Sequence, residues 1–449
     1  MEKERIIEEL EQLLKNHDLT ALRRMLSDIQ PVDLADIFEQ VPEETRLVLF
    51  RILPKDLAAD TFAEMDHDEQ EQLLTNFTDQ EVKNVLNEMY TDDAVDMLEE
   101  MPAGFVKRVL AKATPDTRAD INALLKYPEG SAGAVMTTEY VSLKANMTIS
   151  EALRWIRAHG DDREDVYTCY VTDANRRLNG VLTVREMLLC KRDAYVSELM
   201  EDNIISVKTT DDREVAAQQL ARYDLNSLPV VDGEGRLVGI ITVDDAIDVL
   251  QQETTEDFQK IAGTTPSEEP YLKTPAWKMA GHRIVWLLVL MISDMISGGI
   301  LGSFEDALTA LPVLITFIPM LTDTGGNAGS QSSTLVIRGL ALHEIRVRDL
   351  PRVLWKEFRV AILCGSVLAA FNFVRLSIQY PGQQMVAVTV AVAMFFTVMM
   401  AKAIGGVLPI IATKLKMDPA LMASPLITTI VDAASLLIYL NVAKALLNI

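Results

Sequence analysis

Residues 424–440 read SPLITTIVDAASLLIYL, sixteen uncharged residues around one carboxylate, Asp432. A helix needs about 20 apolar residues to cross a hydrocarbon core of about 30 Å. Four similar runs precede this one, so spans are expected at 284–303, 307–337, 354–377, 385–413 and 421–446. Residues 1–270 carry 28 Lys and Arg against 56 Asp and Glu, a net of −28, whereas residues 271–449 carry 14 against 9, a net of +5. The sequence therefore reads as an acidic soluble part followed by an apolar membrane part.

Asp432 needs a reason to be in such a helix, because ionisable residues inside spans usually face a bundle interior or a wet path. Ser424, Thr428 and Ser435 fall near its face at helical spacing, which suggests a pore lining; close helix packing is the competing reading. Asp294, Asp323 and Lys402 are further ionisable residues within the spans, either paired structurally or acting as a relay. The stretch Asp323-Thr-Gly-Gly-Asn-Ala-Gly-Ser-Gln-Ser-Ser-Thr334 suggests irregular backbone lining a cavity, with Gly325, Gly326 and Asn327 turned toward hydrated ions. Gly405, Gly406 and Pro409 suggest a kink in the fourth span.

Loop charges set the orientation. Lys278 and Arg283 precede the first span, Arg338, Arg346, Arg348, Arg352 and Lys356 follow the second, and Lys414 and Lys416 follow the fourth; the alternate loops near 303–306 and 380–384 have neither residue type. The N-terminal 270 residues are thus expected in the cytoplasm and the C-terminus outside. The N-terminus, MEKERIIEEL, lacks the apolar run of a signal peptide.

The soluble part contains two repeats. Asp36-Ile-Phe-Glu-Gln-Val-Pro, Val48-Leu-Phe-Arg-Ile-Leu-Pro, Asp60-Thr-Phe-Ala-Glu-Met-Asp, Gln72-Leu-Leu-Thr-Asn-Phe-Thr, Asn84-Val-Leu-Asn-Glu-Met-Tyr and Asp96-Met-Leu-Glu-Glu-Met-Pro recur every 12 residues. Each unit reads as a short helix and a turn that must stack on its neighbours to bury its apolar stripe. This array also brings Asp92, Asp93 and Asp96 together. Further on, Val171-Thr-Asp173 and the run Arg177 to Glu186 return at an offset of 59 as Val230-Val-Asp232 and Arg236 to Asp245, each copy preceded by Val135-Met136 or Leu199-Met200. After the second copy, Thr254 followed by Asp257 looks like a helix start, with Glu253, Glu256 and Asp257 on a connector helix.

The duplication resembles a tandem pair of cystathionine-β-synthase-type (CBS) domains. With GGNAGSQSSTLVIRGLA (325–341) and DPALMASPLITTIVDAASLLIYL (418–440), the whole chain closely resembles the MgtE family of magnesium channels. The resemblance implies four parts: an α-helical superhelical repeat domain (1–128), an α/β CBS pair (129–252), a connector or plug helix (253–275) and an all-α pore domain of five helices (276–449). It further implies a homodimer in the cytoplasmic membrane, with Mg²⁺ both transported and regulatory, and closure when Mg²⁺ binds the soluble domains and connector. Asp432 takes the place of the family's pore aspartate. The sensor acids fall on Asp60, Asp92, Asp96, Asp212, Glu214, Asp224, Asp245, Asp248, Glu253, Glu256 and Asp257, and CBS pairs of this kind also admit ATP.

The acidic charge disfavours nucleic acid and fits either solubility or divalent-cation binding. Cys169, Cys190 and Cys364 have no zinc or disulfide spacing. With no nucleophile–base pair, P-loop or zinc motif, the sequence argues against an enzyme. Two other readings remain: a carrier of Mg²⁺ or another divalent ion, coupled through Asp294, Asp323 and Lys402, and a membrane-anchored sensor that moves no ion.

Overall fold

The computed structural model describes residues 2–99, 101–161, 163–267, 271–422 and 424–448; the side chains of Glu2, Glu4 and Ser424 lie outside that description. The chain divides into two compact units, Met1–Gln251 and Gln252–Ile449.

In the first unit, helices begin at residues 31, 43, 55, 67, 79, 91, 103 and 115, so the 12-residue period is the spacing of whole helices. Local chemistry marks most of the junctions. Pro42, Pro54 and Pro102 sit immediately before the next helix, Pro31 and Pro115 occupy its first turn, and Thr78 and Thr114 cap theirs through the side chain. Phe38, Leu49, Phe62, Leu86 and Leu98 are buried at the repeat's apolar positions. At three of the junctions a long side chain from the following helix bonds to one of the last carbonyls of the helix before it. Arg46 Nε donates to Phe38 O at 2.8 Å, Gln70 Nε2 to Phe62 O at 2.8 Å, and Arg118 Nε to Leu110 O at 2.6 Å.

The CBS pair follows as two three-stranded sheets. β1 (Tyr140–Leu143) lies parallel to β2 (Asp165–Thr172), which is antiparallel to β3 (Leu178–Thr183); β4 (Val207–Lys208), β5 (Ser227–Val231) and β6 (Leu237–Thr242) repeat that order. The sequence offset of 59 carries β3 onto β6 residue for residue. Each repeat's lead-in methionine covers the glycine of the other copy: a Cβ on Gly239 would lie 2.6 Å from Met136 Sδ, and one on Gly180 would lie 2.6 Å from Met200 Sδ. A buried chain of hydrogen bonds also joins the repeats, with Tyr170 Oη 2.7 Å from Ser227 Oγ and Ser227 Oγ donating to Asp165 Oδ2 at 2.5 Å. In both copies the Thr–acid pair caps a helix. Thr183 and Glu186 form a capping box, and Thr242 Oγ1 donates to Asp245.

One expectation fails at the connector. No helix starts at Thr254, because the helix that begins after β6 runs unbroken over Val243–Ile261, past the expected boundary at 252/253, and ends well before residue 275. A capping signal inside a sequence that already propagates as helix has no free helix end to satisfy.

In the second unit, four segments among the described residues are long and apolar enough to cross a membrane: Ala276–Ser303, Val347–Gln379, Gln384–Lys414 and Pro419–Leu447. The expected span at 307–337 differs. A short helix, Glu305–Ala310, and a 3₁₀ turn, Pro312–Phe317, lead into the helix Ile318–Ala341, whose polar residues keep it from that group. The stretch 323–334 is continuous α-helix, not irregular backbone, so its carbonyls are held in the helix ladder and do not line a cavity. Its glycines have another purpose. A Cβ on Gly325 would lie 2.8 Å from both Ser435 Oγ and Thr397 Cγ2, one on Gly329 would lie 2.8 Å from Ile427, and one on Gly405 would lie 2.2 Å from the Gly329 carbonyl oxygen. Three helices cross where only hydrogen atoms fit. Gln384–Lys414 also remains one helix through Pro409.

Because the atom in the way at Gly405 is backbone, Gly405→Val should destabilise the membrane unit by roughly 1–3 kcal/mol or more. Heated detergent-solubilised protein should lose its monodisperse peak at a lower temperature, while Gly104→Ala, with nothing within 4 Å of the added carbon, should leave that temperature unchanged.

Candidate metal sites

Two helices begin with carboxylates that meet a third. Asp92 lies in the first turn of Thr91–Glu99, Asp245 in the first turn of Val243–Ile261, and Glu164 immediately before β2. One carboxylate oxygen from each of Asp92, Glu164 and Asp245 lies within 4.8 Å of the other two. Asp92 is only 7% exposed, and Glu164 Oε2 is buried without a hydrogen-bond partner. The Asp92 Oδ1 atom accepts the Asp93 amide at 3.0 Å. Neighbouring Thr91 donates to Glu139.

The electrostatics follow from crowding like charges in low dielectric. Burial, then Glu164 and Asp245, push the Asp92 carboxyl well above the ordinary range; burial and Asp245 raise Glu164 and Asp93 likewise. Burial also raises Asp245 against its bond from Thr242. Asp96 is pushed up to about 6 by burial and Asp245, with His67 and Arg213 opposing. The positive ends of two helix dipoles offset part of the repulsion but leave three carboxylates with room for a hard cation that accepts oxygen ligands.

The other expected sensor acids divide into three groups. Asp60 and Asp248 belong to the same neighbourhood, because both act on Glu64, whose carboxyl is raised by burial and then by Asp248, Asp244 and Asp60. Asp212 caps the helix Arg213–Arg222 by accepting the Glu214 amide at 2.8 Å, Glu214 pairs with Gln218 at 2.8 Å, and Asp224 occupies a left-handed backbone position, φ 52°. Glu256 and Asp257 belong to the second unit with Glu253. There Glu256 pairs with Lys260 at 2.5 Å, and burial followed by Asp418 raises Asp257.

Within the membrane unit, Asp432 is partly exposed on the helix Ser424–Leu447, and the charges of Asp294 and Asp323 act on it. Lys402 pairs with neither of those acids. The residue is buried, its ammonium donates to Ser332 Oγ at 3.2 Å, and Ser332 Oγ donates to Glu357 Oε2 at 2.6 Å. Asn327 and Thr428 keep exposure, whereas Gly325, Gly326 and Ser435 are enclosed in helix packing; the Ser424 side chain is outside the described residues.

The comparisons with known proteins agree with this division. A family described as divalent cation transporter, MgtE, matches residues 318–442, the MgtE intracellular N domain matches 29–130, and CBS domains match 132–192 and 196–252. The magnesium transporter MgtE of Thermus thermophilus is 37% identical over 449 residues, covering 99% of each chain. The chain belongs to the MgtE family of magnesium transporters. A Bacillus subtilis MgtE is 33% identical over 97% of this chain and 96% of its own. Among solved structures, the cytosolic domain of the Mg²⁺ channel MgtE in complex with ATP shares 38% identity and a TM-score of 0.51, covering 54% of this chain and 98% of that one. The soluble part of a magnesium transporter shares 31% identity and a TM-score of 0.54, covering 56% and 99%.

In this MgtE-family chain, sequence reasoning missed Glu164, Glu64 and Asp418. Glu164 stands among other charges in DDREDV (161–166), and nothing local marks it; only the fold brings it to Asp92. The raised carboxyls also fix the sign of a pH effect. A carboxylate with a folded-state value above its unfolded value of about 4 stabilises the fold at low pH and loses that contribution as pH rises through the folded value. In metal-free full-length protein, amide protection of Thr91–Glu99, corrected for intrinsic exchange, should therefore fall between pH 5 and about pH 8. Millimolar MgCl₂ at the upper pH should restore it.

Proposed function

We propose that this membrane protein conducts Mg²⁺ into the cytoplasm along a path centred on Asp432, and that cytosolic Mg²⁺ closes the path by binding the acidic clusters of the soluble part. The observation that carries the reading is Asp432 itself, a partly exposed carboxylate in an apolar helix, acted on by Asp294 and Asp323. Mg²⁺ gives up its water reluctantly and is usually held through one or two carboxylates. A pair of Asp432 side chains from two copies would meet that need without a protein cage.

A homodimer is supported by the helix Ile318–Ala341, where Asp323, Asn327, Gln331, Thr334 and Arg338 are all exposed on a single chain. Such a face cannot stand in lipid and calls for a second copy and water. The loop basic residues orient the assembly with the soluble part in the cytoplasm and the C-terminus outside.

For closure, Mg²⁺ joins Asp92 of the helical array to Glu164 and Asp245 of the CBS pair, exchanging repulsion for a bridge. Asp60, Asp96 and Asp248 extend that acidic surface, and Asp212, Glu214, Asp224, Glu253, Glu256 and Asp257 provide the remaining carboxylates. ATP is a second candidate ligand, supported by the relative's complex. In this chain Thr183 and Thr242 are engaged as helix caps, so a nucleotide would need other groups and is not required for the gate. Lys402 bonds to Ser332, which in turn bonds to Glu357, and not to Asp294 or Asp323, which favours a channel over a carrier with that relay.

Proteoliposome uptake tests both halves. Asp432→Ala should lower Mg²⁺ flux at least about a hundredfold if the carboxylate is the main ion site, a loss of roughly 3 kcal/mol of stabilisation; near-normal flux would refute it. Replacing Asp92, Asp245 and Asp248 with Ala should leave flux high when Mg²⁺ is high on the cytosolic side. Wild-type closure in that triple variant would remove the sensor from the mechanism.

A further inference from the structure

Lys260 occupies the last turn of the helix Val243–Ile261 and makes two ion pairs, 2.5 Å to Glu256 Oε1 one turn earlier and 2.6 Å to Asp418 Oδ2. The first pair has the favourable i, i+4 arrangement and fixes where the ammonium points. The second joins the connector to the turn before the helix that carries Asp432. The Lys260 side chain is 20% exposed and that of Asp418 29%, so the pair is largely removed from water. Burial pulls the ammonium's pKa down, but the bonds from Asp418 and Glu256 outweigh it and hold the charge.

Asp418 is doubly used. Its Oδ1 accepts the Ala420 amide at 2.8 Å, opening the 3₁₀ turn Pro419–Met422 that leads into Ser424–Leu447. The far end of that turn is held too, since Ser333 Oγ of the helix Ile318–Ala341 donates to Met422 O at 3.2 Å. Beside the ion pair, Gly263 has φ +71°, and a Cβ there would lie 2.2 Å from Trp286 and 2.9 Å from Pro425. The Thr265 amide donates to His282 O at 3.0 Å. The end of the connector is therefore seated on the first and last membrane helices by backbone and packing contacts. One charge pair provides the lateral link to the pore-helix turn.

We propose that Lys260 is a positioning residue for gating: through Asp418 it makes the connector and the turn at 419–422 move as one body, so that displacement of the connector reaches the helix bearing Asp432. This rests on the reading that cytosolic Mg²⁺ closes the path. A surface ion pair usually contributes little. This one differs because both partners are held by second contacts and because removing either leaves the other charge in a poorly hydrated site.

The test is a double-mutant cycle in the full-length protein, using Lys260→Gln, Asp418→Asn and both together, with Lys260→Arg as the charge-retaining control. Flux in proteoliposomes at low Mg²⁺ should match wild type in every variant. The cytosolic Mg²⁺ giving half-closure should rise about threefold or more in each single variant, no further in the double, and stay near wild type in Lys260→Arg. Half-closure at wild-type Mg²⁺ in both single variants, or additive shifts in the double, would overturn the coupling. Hydrogen exchange at Ala420–Met422 reads the same link without gating. It should quicken in Lys260→Gln and stay protected in Lys260→Arg, and unchanged exchange in Lys260→Gln would also overturn the proposal. If wild type itself stays open at all Mg²⁺ concentrations, the gating reading fails; the exchange result then decides whether the mechanical link exists.

Discussion

A carboxylate taken out of water needs a counter-charge, and both units of this protein hold carboxylates on which the charges of other acids act. In the soluble unit Asp92, Glu164 and Asp245 converge with burial and mutual repulsion acting in the same direction. In the membrane unit Asp432 feels Asp294 and Asp323. The two helix N-termini beside Asp92 and Asp245 supply partial positive charge, which moderates the repulsion without removing it. The fold is thus stable enough to hold the acids together and strained enough electrostatically to favour a divalent ion. On the proposed reading that balance suits a sensor, because an already neutralised site would gain little from the ion.

The architecture was legible wherever the determinants were local. The helical array announces itself because each 12-residue unit carries its own apolar pair and most carry their own stop, a proline or a capping threonine, so helix spacing and sequence spacing coincide. The CBS duplication was equally readable, since β3 and β6 must each accept a methionine over a glycine, a demand that keeps the copies alike. The glycines of 325–329 were not legible in the same way. A glycine states that something comes close, not what; a loose turn and a tight helix crossing ask for the same residue. The Gly405–Gly329 contact resolves it in favour of packing, while Asn327 in the same stretch is exposed.

The candidate sites were half legible. Asp92, Asp245 and Asp432 stood out through the family resemblance, and in the fold Asp92 and Asp245 do meet. Glu164 did not stand out, because its contribution depends on tertiary proximity to residues far away in sequence. The same holds for Lys260 and Asp418, separated by 158 positions. The apparent helix start at Thr254 erred in the opposite direction, since a local signal was overridden by a helix already under way from Val243.

On the proposed reading, the helix Ile318–Ala341 keeps a hard cation's path separate from the membrane unit's own internal charge. Ser332 and Ser333 point into the bundle, where Ser332 links Lys402 to Glu357 and Ser333 holds the Met422 carbonyl, so this face is closed among its own groups. The opposite face offers Asp323, Asn327, Gln331 and Thr334. A buried ammonium exposed to the path would repel Mg²⁺, and an unpaired one would cost several kcal/mol in the bundle. Hydrogen-bonding Lys402 to a serine already engaged by a glutamate meets both constraints. The serine-rich composition of a helix otherwise too polar to span a membrane alone then follows from its two-sided task, inward fastening and outward hydration.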